Sequence, residues 1–451
     1  MLENVTPSSA ARDDLPTVSP GYFRYALALL TLIYTLNLFD RQLLNILAEP
    51  IKHELKLADW QLGAISGLAF ALFYATMGLP IARLAERYNR PTIIAGSLTC
   101  WSGFTAICGL AQGFLSLFVA RVGVGVGEAG CTPTAHSLIS EYAPRSKLGS
   151  ALARYHFGTS FGILLGLALG GWMSDVIGWR MAFIVAGLPG IAIAVIAFVT
   201  LREPRKHAAA TSVHISLSDA IRYLRGRRAF WFMTLGAGVI SFAIYGRLQF
   251  LASFFFRSHA ADLAQIAASV GMKPAGFLGL ALGLCTGFSG LIGTWLGGRL
   301  TDRYGSDDPR AFGTIPAIAA LAGVPLFLGA MLISNILIAL ILIFLAATLS
   351  LFWMGPKNAA VLSVAPPQMR ATTSALSILI ESMIGLGLGP LCVGLMSDGF
   401  ANLAGLGSAE GVRWALVVST AACLLAAWFF WSARSTLAVD FYYQPEGNPA
   451  R

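Results

Sequence analysis

The sequence predicts an all-α membrane protein whose twelve or so transmembrane helices form two pseudo-symmetric bundles of six. Three observations support this fold class. The chain has 451 residues, of which 56% are hydrophobic and only 12% are charged, more apolar sequence than a soluble core of this size needs. Apolar runs of about 20 residues, the length that crosses a bilayer, recur along it. The second half also repeats short motifs of the first.

Apolar runs of spanning length define the transmembrane segments. The first twenty residues are polar and contain Pro and Ser, which predicts a disordered cytoplasmic N-terminus and not a cleaved signal peptide. In order, the predicted spans cover roughly residues 23–49, 59–82, 91–111, 114–139, 148–174, 179–201, 229–257, 275–299, 311–332, 335–362, 371–397 and 410–434. The predicted units are an N-terminus (1–20), a first bundle (21–201), a basic linker (202–228), a second bundle (229–434) and a cytoplasmic tail (435–451).

The net charge of +9 is concentrated in alternate loops. Most Lys and Arg residues lie near 83–90, 145–147, 202–228, 299–310 and 370. This is the positive-inside distribution, so these loops are expected in the cytoplasm. With an even number of spans, both termini of this inner (plasma) membrane protein are cytoplasmic as well. Because the basic residues sit in short loops between apolar segments, we expect no nucleic-acid partner.

The sequence lacks the residue patterns that disulfides, metal binding, nucleotide binding or enzyme catalysis require. The six cysteines fall within apolar stretches at unrelated spacings, which favours packing residues over disulfides or metal ligands. No glycine-rich stretch has the Lys-Ser/Thr ending of a nucleotide-binding loop, and no Ser-His-Asp, His-x-x-x-His or paired-Cys constellation is present. The sequence therefore predicts no enzyme, no cofactor, no metal and no ATP-driven transport.

An internal repeat relates the two halves. Ala82-Arg-Leu-Ala-Glu-Arg-Tyr-Asn-Arg90 follows the second span, and Gly298-Arg-Leu-Thr-Asp-Arg-Tyr-Gly305 follows the eighth. Met173-Ser-Asp175 is likewise repeated as Met396-Ser-Asp398. Each motif and its repeat are separated by about 220 residues, which indicates duplication. Paired repeats of this kind place a substrate site at their interface, near the middle of the bilayer.

The duplicated loop resembles the signature of the major facilitator superfamily, and the likeness extends from about Tyr22 to Arg434. Phe39-Asp-Arg-Gln-Leu-Leu-Asn45 in the first span and Arg121…Gly-Val-Gly-Glu-Ala129 in the fourth resemble its spinster-like branch. The resemblance implies an alternating-access secondary transporter that works as a monomer among membrane lipids. Eukaryotic relatives in this branch export or recycle sphingolipids and lysophospholipids, which implies an amphipathic anionic lipid as substrate.

Four charges inside predicted spans mark a candidate proton and substrate site. Arg121 and Glu128 share one face of the fourth span, about 10 Å apart, and charges at this depth must face protein or water. Asp40 and Arg41 lie at a comparable depth in the first span, and the resemblance implies that both spans border a central cavity. We hypothesise that Asp40 or Glu128 takes a proton, which frees Arg41 and Arg121 for an anionic head group. The alternative is a static salt bridge that only holds two helices together.

The second half offers two further candidate substrate-binding residues. Gly246-Arg247 aligns roughly with Asp40-Arg41, so Arg247 could complete a clamp of two arginines on a phosphate or carboxylate. The alternative is an arginine that snorkels outwards. Glu381 has no partner in local sequence and is either a second titrating site or hydrogen-bonded to a neighbouring helix. His136, near the cytoplasmic end of the fourth span, could relay a proton, although a structural hydrogen bond is the commoner role.

The repeated loops predict a cytoplasmic gate. Its candidate residues are Glu86, Arg87 and Arg90 in the first copy and Asp302 and Arg303 in the second. In the superfamily that the loops resemble, a carboxylate at such a helix end can pair with a helix terminus or an arginine of the other half. The gate would then close the cytoplasmic side in the outward-open state.

Two other functions compete with proton-coupled lipid export. Within the same class, the substrate could be a polar solute such as a sugar or an organic acid. In a different class, the chain could be a receptor or scaffold that kept the fold without transporting. The charges inside the spans argue against a scaffold, which has no use for them.

Overall fold

A computed structural model describes residues 18–143, 147–204, 217–305, 308–366 and 369–442. Throughout this part of the chain the regular secondary structure is helical, and eleven helices are long and apolar enough to cross a membrane. The longest, Leu148–Thr200, contains two spans, because Gly178 interrupts it with φ 77° and ψ 164°. The twelve predicted spans are therefore confirmed.

The observed bounds lie within a few residues of the predicted ones, except where helices extend beyond the membrane-spanning run. Spans one to four are Pro20–Ile46, Asp59–Arg87, Arg90–Cys108 and Phe114–Tyr142; spans five and six are the two parts of Leu148–Thr200; spans seven to twelve are Arg228–Ser258, Pro274–Gly305, Ala311–Leu332, Ile336–Val364, Arg370–Leu403 and Gly407–Asp440. Short breaks divide several spans, and the helices Ala48–Leu55, Leu217–Arg225 and Ala260–Ser269 lie between spans.

Caps fix the ends of individual spans. The side chain of Ser19 accepts a hydrogen bond from the N–H of Tyr22, and Pro20 follows it at the first helical position, a favourable start for a helix. At the other end of the chain, the Asp440 carboxylate accepts a hydrogen bond of 2.7 Å from the N–H of Ala229. The last span thus reaches into the predicted tail and anchors the start of span seven.

The remaining parts of the predicted terminal and linker segments, residues 1–17, 205–216 and 443–451, lie outside the described residues. The division into two bundles at 202–228 stays a prediction for that reason. The helix Leu217–Arg225 occupies the described end of the linker.

Glycines press span five against span one. A Cβ atom at Gly166 would lie 2.7 Å from the backbone oxygen of Phe39 and 2.8 Å from Cβ of Gln42. A Cβ atom at Gly162, one turn away, would lie 2.5 Å from Cβ of Leu38. Small residues at intervals of four therefore create the close-packed face that their spacing predicts, and this face fixes the position of the charged segment of span one.

The first six and the last six spans are bonded to each other at one end only. We call this the outer end; the opposite, inner end carries residues 20, 87, 305 and 440. Among the described residues, every hydrogen bond or ion pair that joins the halves lies at the outer end, as between Lys273 and the Asp175 backbone oxygen (2.9 Å). The two halves therefore separate towards the inner end.

Candidate substrate and proton site

Arg41 and Glu128 meet between spans one and four. The Arg41 Nε atom lies 2.7 Å from Glu128 Oε2, and the arginine side chain is 19% exposed whereas the carboxylate is fully buried. The Arg41 guanidinium carbon lies 4.5 Å from the ring centre of Phe70 and 4.8 Å from that of Tyr74. Two aromatic faces and one carboxylate thus hold a cation at the edge of a water-accessible space.

Asp40 and Arg121 lie beside this ion pair but form no ion pair of their own with any described residue. Thr105 Oγ1 lies 3.3 Å from Asp40 Oδ2, and Asp40 is close enough to Arg121 and Glu128 to interact electrostatically with both. Within the described part of the chain, Asp40 Oδ1 and the Nε and Nη1 atoms of Arg121 have no hydrogen-bond partner. Unpaired buried donors and acceptors are costly, so the cluster has free bonding capacity for a ligand or a proton.

A central cavity adjoins the cluster and is lined by both halves of the chain. Its walls combine polar and apolar side chains: Arg41, Gln42, Asn45, Ser66, Arg121, Tyr245 and Gln249, together with Leu38, Phe70, Leu248, Leu386 and Pro390. The arginines come from the first half, and the second half contributes a tyrosine and an amide. Such a lining suits a ligand with one charged and one apolar part.

Glu381 has a partner that sequence analysis missed. Lys357 Nζ in span ten lies 2.8 Å from Glu381 Oε2 in span eleven, and Ser241 Oγ lies 3.4 Å from Oε1. The lysine is buried, while the Glu381 side chain is 20% exposed. Tyr245 is close enough to both Glu381 and Arg41 to interact with either charge. The sequence could have indicated this pair, because Lys357 and Glu381 are opposite charges inside consecutive spans.

The structure does not bring Arg247 to Arg41. Its Nη2 atom lies 3.2 Å from Cys423 Sγ, its Nε atom 3.4 Å from Ser419 Oγ, and its guanidinium carbon 4.0 Å from the Phe327 ring centre. Arg247 is therefore buried inside the second half, neither in the cavity wall nor snorkelling outwards. The predicted clamp of two arginines from the two halves does not occur in this conformation.

The predicted gate residues are not assembled at the inner end. Arg87, Asp302 and Arg303 are exposed, and the side chain of Glu86 lies outside the described residues. Arg90 is fully buried within the first half, where it pairs with Glu141 and Glu203. A gate made by the two repeated loops stays a prediction for the outward-open state.

Replacing Arg90 with alanine should destabilise the protein by about 3 kcal/mol, because Glu141 and Glu203 would lose their shared cation at the buried meeting point of spans three, four and six. We expect a clear fall in melting temperature in detergent. Arg87→Ala, which removes an exposed arginine three residues away, is the matched control and should not change it. Equal melting temperatures for the two variants would show that the Arg90 cluster contributes no net stability.

A second charge cluster, also missed from the sequence, closes the outer end. Arg257 at the end of span seven bonds Glu49 at 2.5 Å and Asp59 at 2.7 Å. Lys52 adds a bond of 2.6 Å to Asp59. The Arg257 side chain is only 8% exposed. One arginine of the second half is thereby held by two carboxylates of the first half.

Asp398 makes the reciprocal contact from the second half. Its carboxylate accepts hydrogen bonds from the N–H groups of Asp59 (3.1 Å) and Trp60 (2.8 Å), at the start of span two. The neighbouring Ser397 donates a hydrogen bond of 2.7 Å to Asp59. We call Glu49, Lys52, Asp59, Arg257 and Asp398 the outer lock. A carboxylate on the free N–H groups of a helix start is a favourable pairing, so the outer lock favours the inward-open state.

Comparison with known proteins agrees with this architecture. The family model described as Major Facilitator Superfamily matches residues 30–390. An MFS-type efflux pump of Mycolicibacterium smegmatis is 30% identical over 92% of this chain and 93% of that protein. The probable galactarate/D-glucarate transporter GudP of Bacillus subtilis is 35% identical over 40% of each chain.

Comparison with solved structures indicates the branch of the superfamily. The crystal structure of a bacterial homolog to the human lysosomal transporter Spinster, in an inward-facing and unoccupied conformation, matches with a TM-score of 0.84 and 31% identity, over 95% of this chain and 100% of that one. The chain therefore belongs to the major facilitator superfamily of membrane transporters. Within the superfamily it is a spinster-like transporter.

Proposed function

We propose that this transporter exports or flips an amphipathic anionic lipid, such as a lysophospholipid or sphingosine phosphate, in exchange for protons. The observation that carries the proposal is Arg121, which lines the cavity with two guanidinium nitrogens unbonded among the described residues. Arg41, partly exposed, stands in the same wall. Planar guanidinium groups bind two oxygens of a phosphate at once, so the pair suits an anionic head group.

The rest of the cavity wall supports an amphipathic substrate. Leu38, Phe70, Leu248 and Leu386 offer apolar surface beside the arginines, and burying a hydrocarbon chain against them is favourable. We keep Glu381 as a proposed contact for the substrate, since its carboxylate is partly exposed although Lys357 neutralises it. We no longer assign substrate contact to Arg247.

Coupling to protons follows from the cost of a buried charge. Glu128 is fully buried and Arg41 is its ion-pair partner. If a head group draws Arg41 and Arg121 away, the carboxylate is left without a countercharge, which is strongly unfavourable unless it binds a proton. Substrate and proton thus compete through Arg41 and Arg121, with Asp40 as a second acceptor. Proton entry then drives substrate exit.

The proposal includes an orientation and an assembly state. The inner end carries the basic loops, so we place it in the cytoplasm of the plasma membrane, with both chain termini on that side. Substrate would enter the inward-open cavity from the cytoplasmic leaflet. One chain holds the complete cavity, which is consistent with function as a monomer.

A polar organic acid is the second candidate substrate. The match to a probable galactarate/D-glucarate transporter, although it covers less than half of either chain, favours this alternative. The same arginines would bind a sugar-acid carboxylate. Lipid and sugar-acid substrates differ in what they require of the apolar wall, and only direct transport measurements separate them.

Uptake by proteoliposomes tests the proposal. We expect a labelled lysophospholipid or sphingosine phosphate to be transported faster with a proton gradient, and labelled glucose or glucarate not to be transported. Glu128→Gln should abolish the gradient dependence, because the neutral amide cannot exchange a proton, while substrate exchange without a gradient continues. Asp262→Asn, which removes an exposed carboxylate from the outer loop, is the matched control.

Each outcome has a distinct meaning. Transport of glucarate alone would establish the polar-solute alternative. A rate of lipid transport that does not depend on the proton gradient would indicate facilitated diffusion instead of proton coupling. If no member of the panel moves under any condition, the lipid-exporter proposal is contradicted.

A further inference from the structure

A row of polar side chains leads from Glu128 towards the inner end and has no part in the site described so far. Thr132 and His136 follow Glu128 at intervals of four residues, so the three share one face of span four over about 12 Å. Asn37 lies beside Glu128 from span one, and Tyr155 lies beside Thr132 from span five. The row therefore begins at the proposed proton acceptor.

Aromatic rings continue the row. The His136 ring centre lies 5.2 Å from that of Tyr155 and 5.2 Å from that of His156. Tyr34 stacks on Tyr155 with ring centres 4.6 Å apart and also touches His156 at 5.6 Å. Three spans thus converge on a cluster of two imidazoles and two phenols, all of which can both donate and accept hydrogen bonds when neutral.

The buried part of this row lacks partners. Among the described residues, His136 Nε2, the Tyr155 hydroxyl and both amide atoms of Asn37 are buried without a partner in good hydrogen-bonding geometry, although Asn37 lies close to Glu128 and Tyr155 close to Thr132. Tyr155 is fully buried and Asn37 nearly so. Buried polar groups are almost always paired, and each unpaired one costs about 1–3 kcal/mol. Successive unpaired groups on one path fit a chain of hydrogen bonds completed by water molecules.

The row ends at the opening between the two halves. Ser160 of span five lies against span eight, where a Cβ at Gly287 would lie 3.3 Å from its backbone oxygen and a Cβ at Gly290 3.7 Å from its Oγ. His156, one turn further in, is exposed. His156 therefore lies at the edge of span five that faces the second half, on the side where the halves share no hydrogen bond among the described residues, and its exposed ring can serve as an exit for the row.

We propose that Tyr155, His136 and His156 form the path by which protons move between Glu128 and the aqueous opening at the inner end. This inference rests on the proposed proton coupling of Glu128. For each turnover, the Glu128 carboxylic acid loses one proton to the hydroxyl and water chain, Tyr155 passes one to His136, and His156 releases one to water. The net result is one carboxylate and one hydrated proton. Beyond these groups, the titratable and charged neighbours among the described residues are Tyr34, Asp40 and Arg41 from span one, Tyr74 from span two, and Arg121 and Cys131 from span four.

A pH-jump measurement on the detergent-solubilised protein tests the path without any substrate. Because the outer lock closes the other end, protons reach Glu128 from the inner end. Time-resolved infrared spectroscopy follows its carboxylic acid band, identified by its loss in Glu128→Gln. We expect His136→Gln and Tyr155→Phe to slow the change about tenfold or more, as loss of a positioned proton donor does, with the final amplitude unchanged.

Matched controls separate a path from a structural role. His53→Gln removes an exposed histidine at the outer end and should leave the rate at the wild-type value. Added imidazole should restore the rate of His136→Gln, which a purely structural defect would not allow. Wild-type rates in His136→Gln and Tyr155→Phe would overturn the proton path while leaving coupled transport intact. A Glu128 band that never responds to pH would overturn both, whereas failure of the lipid panel alone would contradict only the proposed substrate.

Discussion

Arg257→Ala should shift the transporter from the inward-open towards the outward-open state. Arg257 is the cation that two first-half carboxylates, Glu49 and Asp59, share in the outer lock. Without it, these two buried carboxylates face each other with Lys52 beside Asp59 and the exposed ring of His53 beside Glu49 as the remaining basic groups among the described residues. Removing one member of a buried ion pair costs about 3–5 kcal/mol, and the inward-open state alone would bear this cost. A shift of about 150- to 5,000-fold in the population ratio follows.

Distances between spin labels across the outer end would measure the shift. Labels at Gln112 and Ala261, exposed residues of outer loops in the two halves, should move apart in Arg257→Ala. Arg413→Ala is the matched control: this arginine also lies at the outer end, but its partner Glu410 belongs to the same half. An unchanged distance distribution in Arg257→Ala would show that packing, and not the outer lock, holds the outer end closed.

The outer lock also shows what the sequence could not predict. Charged residues at the ends of spans are ordinary, because they reach water there, so Glu49, Asp59 and Arg257 carried no signal. Asp59 and Asp398 meet although 339 positions separate them. The number and limits of the spans, in contrast, depend on local composition, which is why even the break at Gly178 falls between two predicted spans.

Arg247 illustrates a second limit. Alignment of the two repeats places it at the level of Arg41, but depth along a helix does not determine which way a side chain points. A rotation about the helix axis places Tyr245 and Gln249 in the cavity wall and directs Arg247 towards Ser419 and Cys423. The partnership of Arg41 with Glu128 was accessible because family resemblance indicated that spans one and four both border the cavity.

A double-variant cycle on Arg41 and Glu128 should have the largest effect on transport and distinguishes an exchanging pair from a static one. Arg41→Ala alone leaves Glu128 buried without its ion-pair partner, and the remaining nearby cation, Arg121, also faces Asp40. We therefore expect a loss of about 3–5 kcal/mol in stability together with loss of transport. Adding Glu128→Gln removes the uncompensated charge. The melting temperature of the double variant in detergent should therefore return most of the way to the wild-type value.

Transport by the double variant is the decisive readout. If the pair only joins span one to span four, a stable neutral replacement should transport the substrate as the wild type does. If Arg41 binds the head group and Glu128 exchanges the proton, the double variant should be stable and inactive. We expect the second result, because Glu128 is fully buried while its partner Arg41 is partly exposed in the wall of the cavity. A pair that served only to join two helices would gain nothing from placing its cation in the cavity wall.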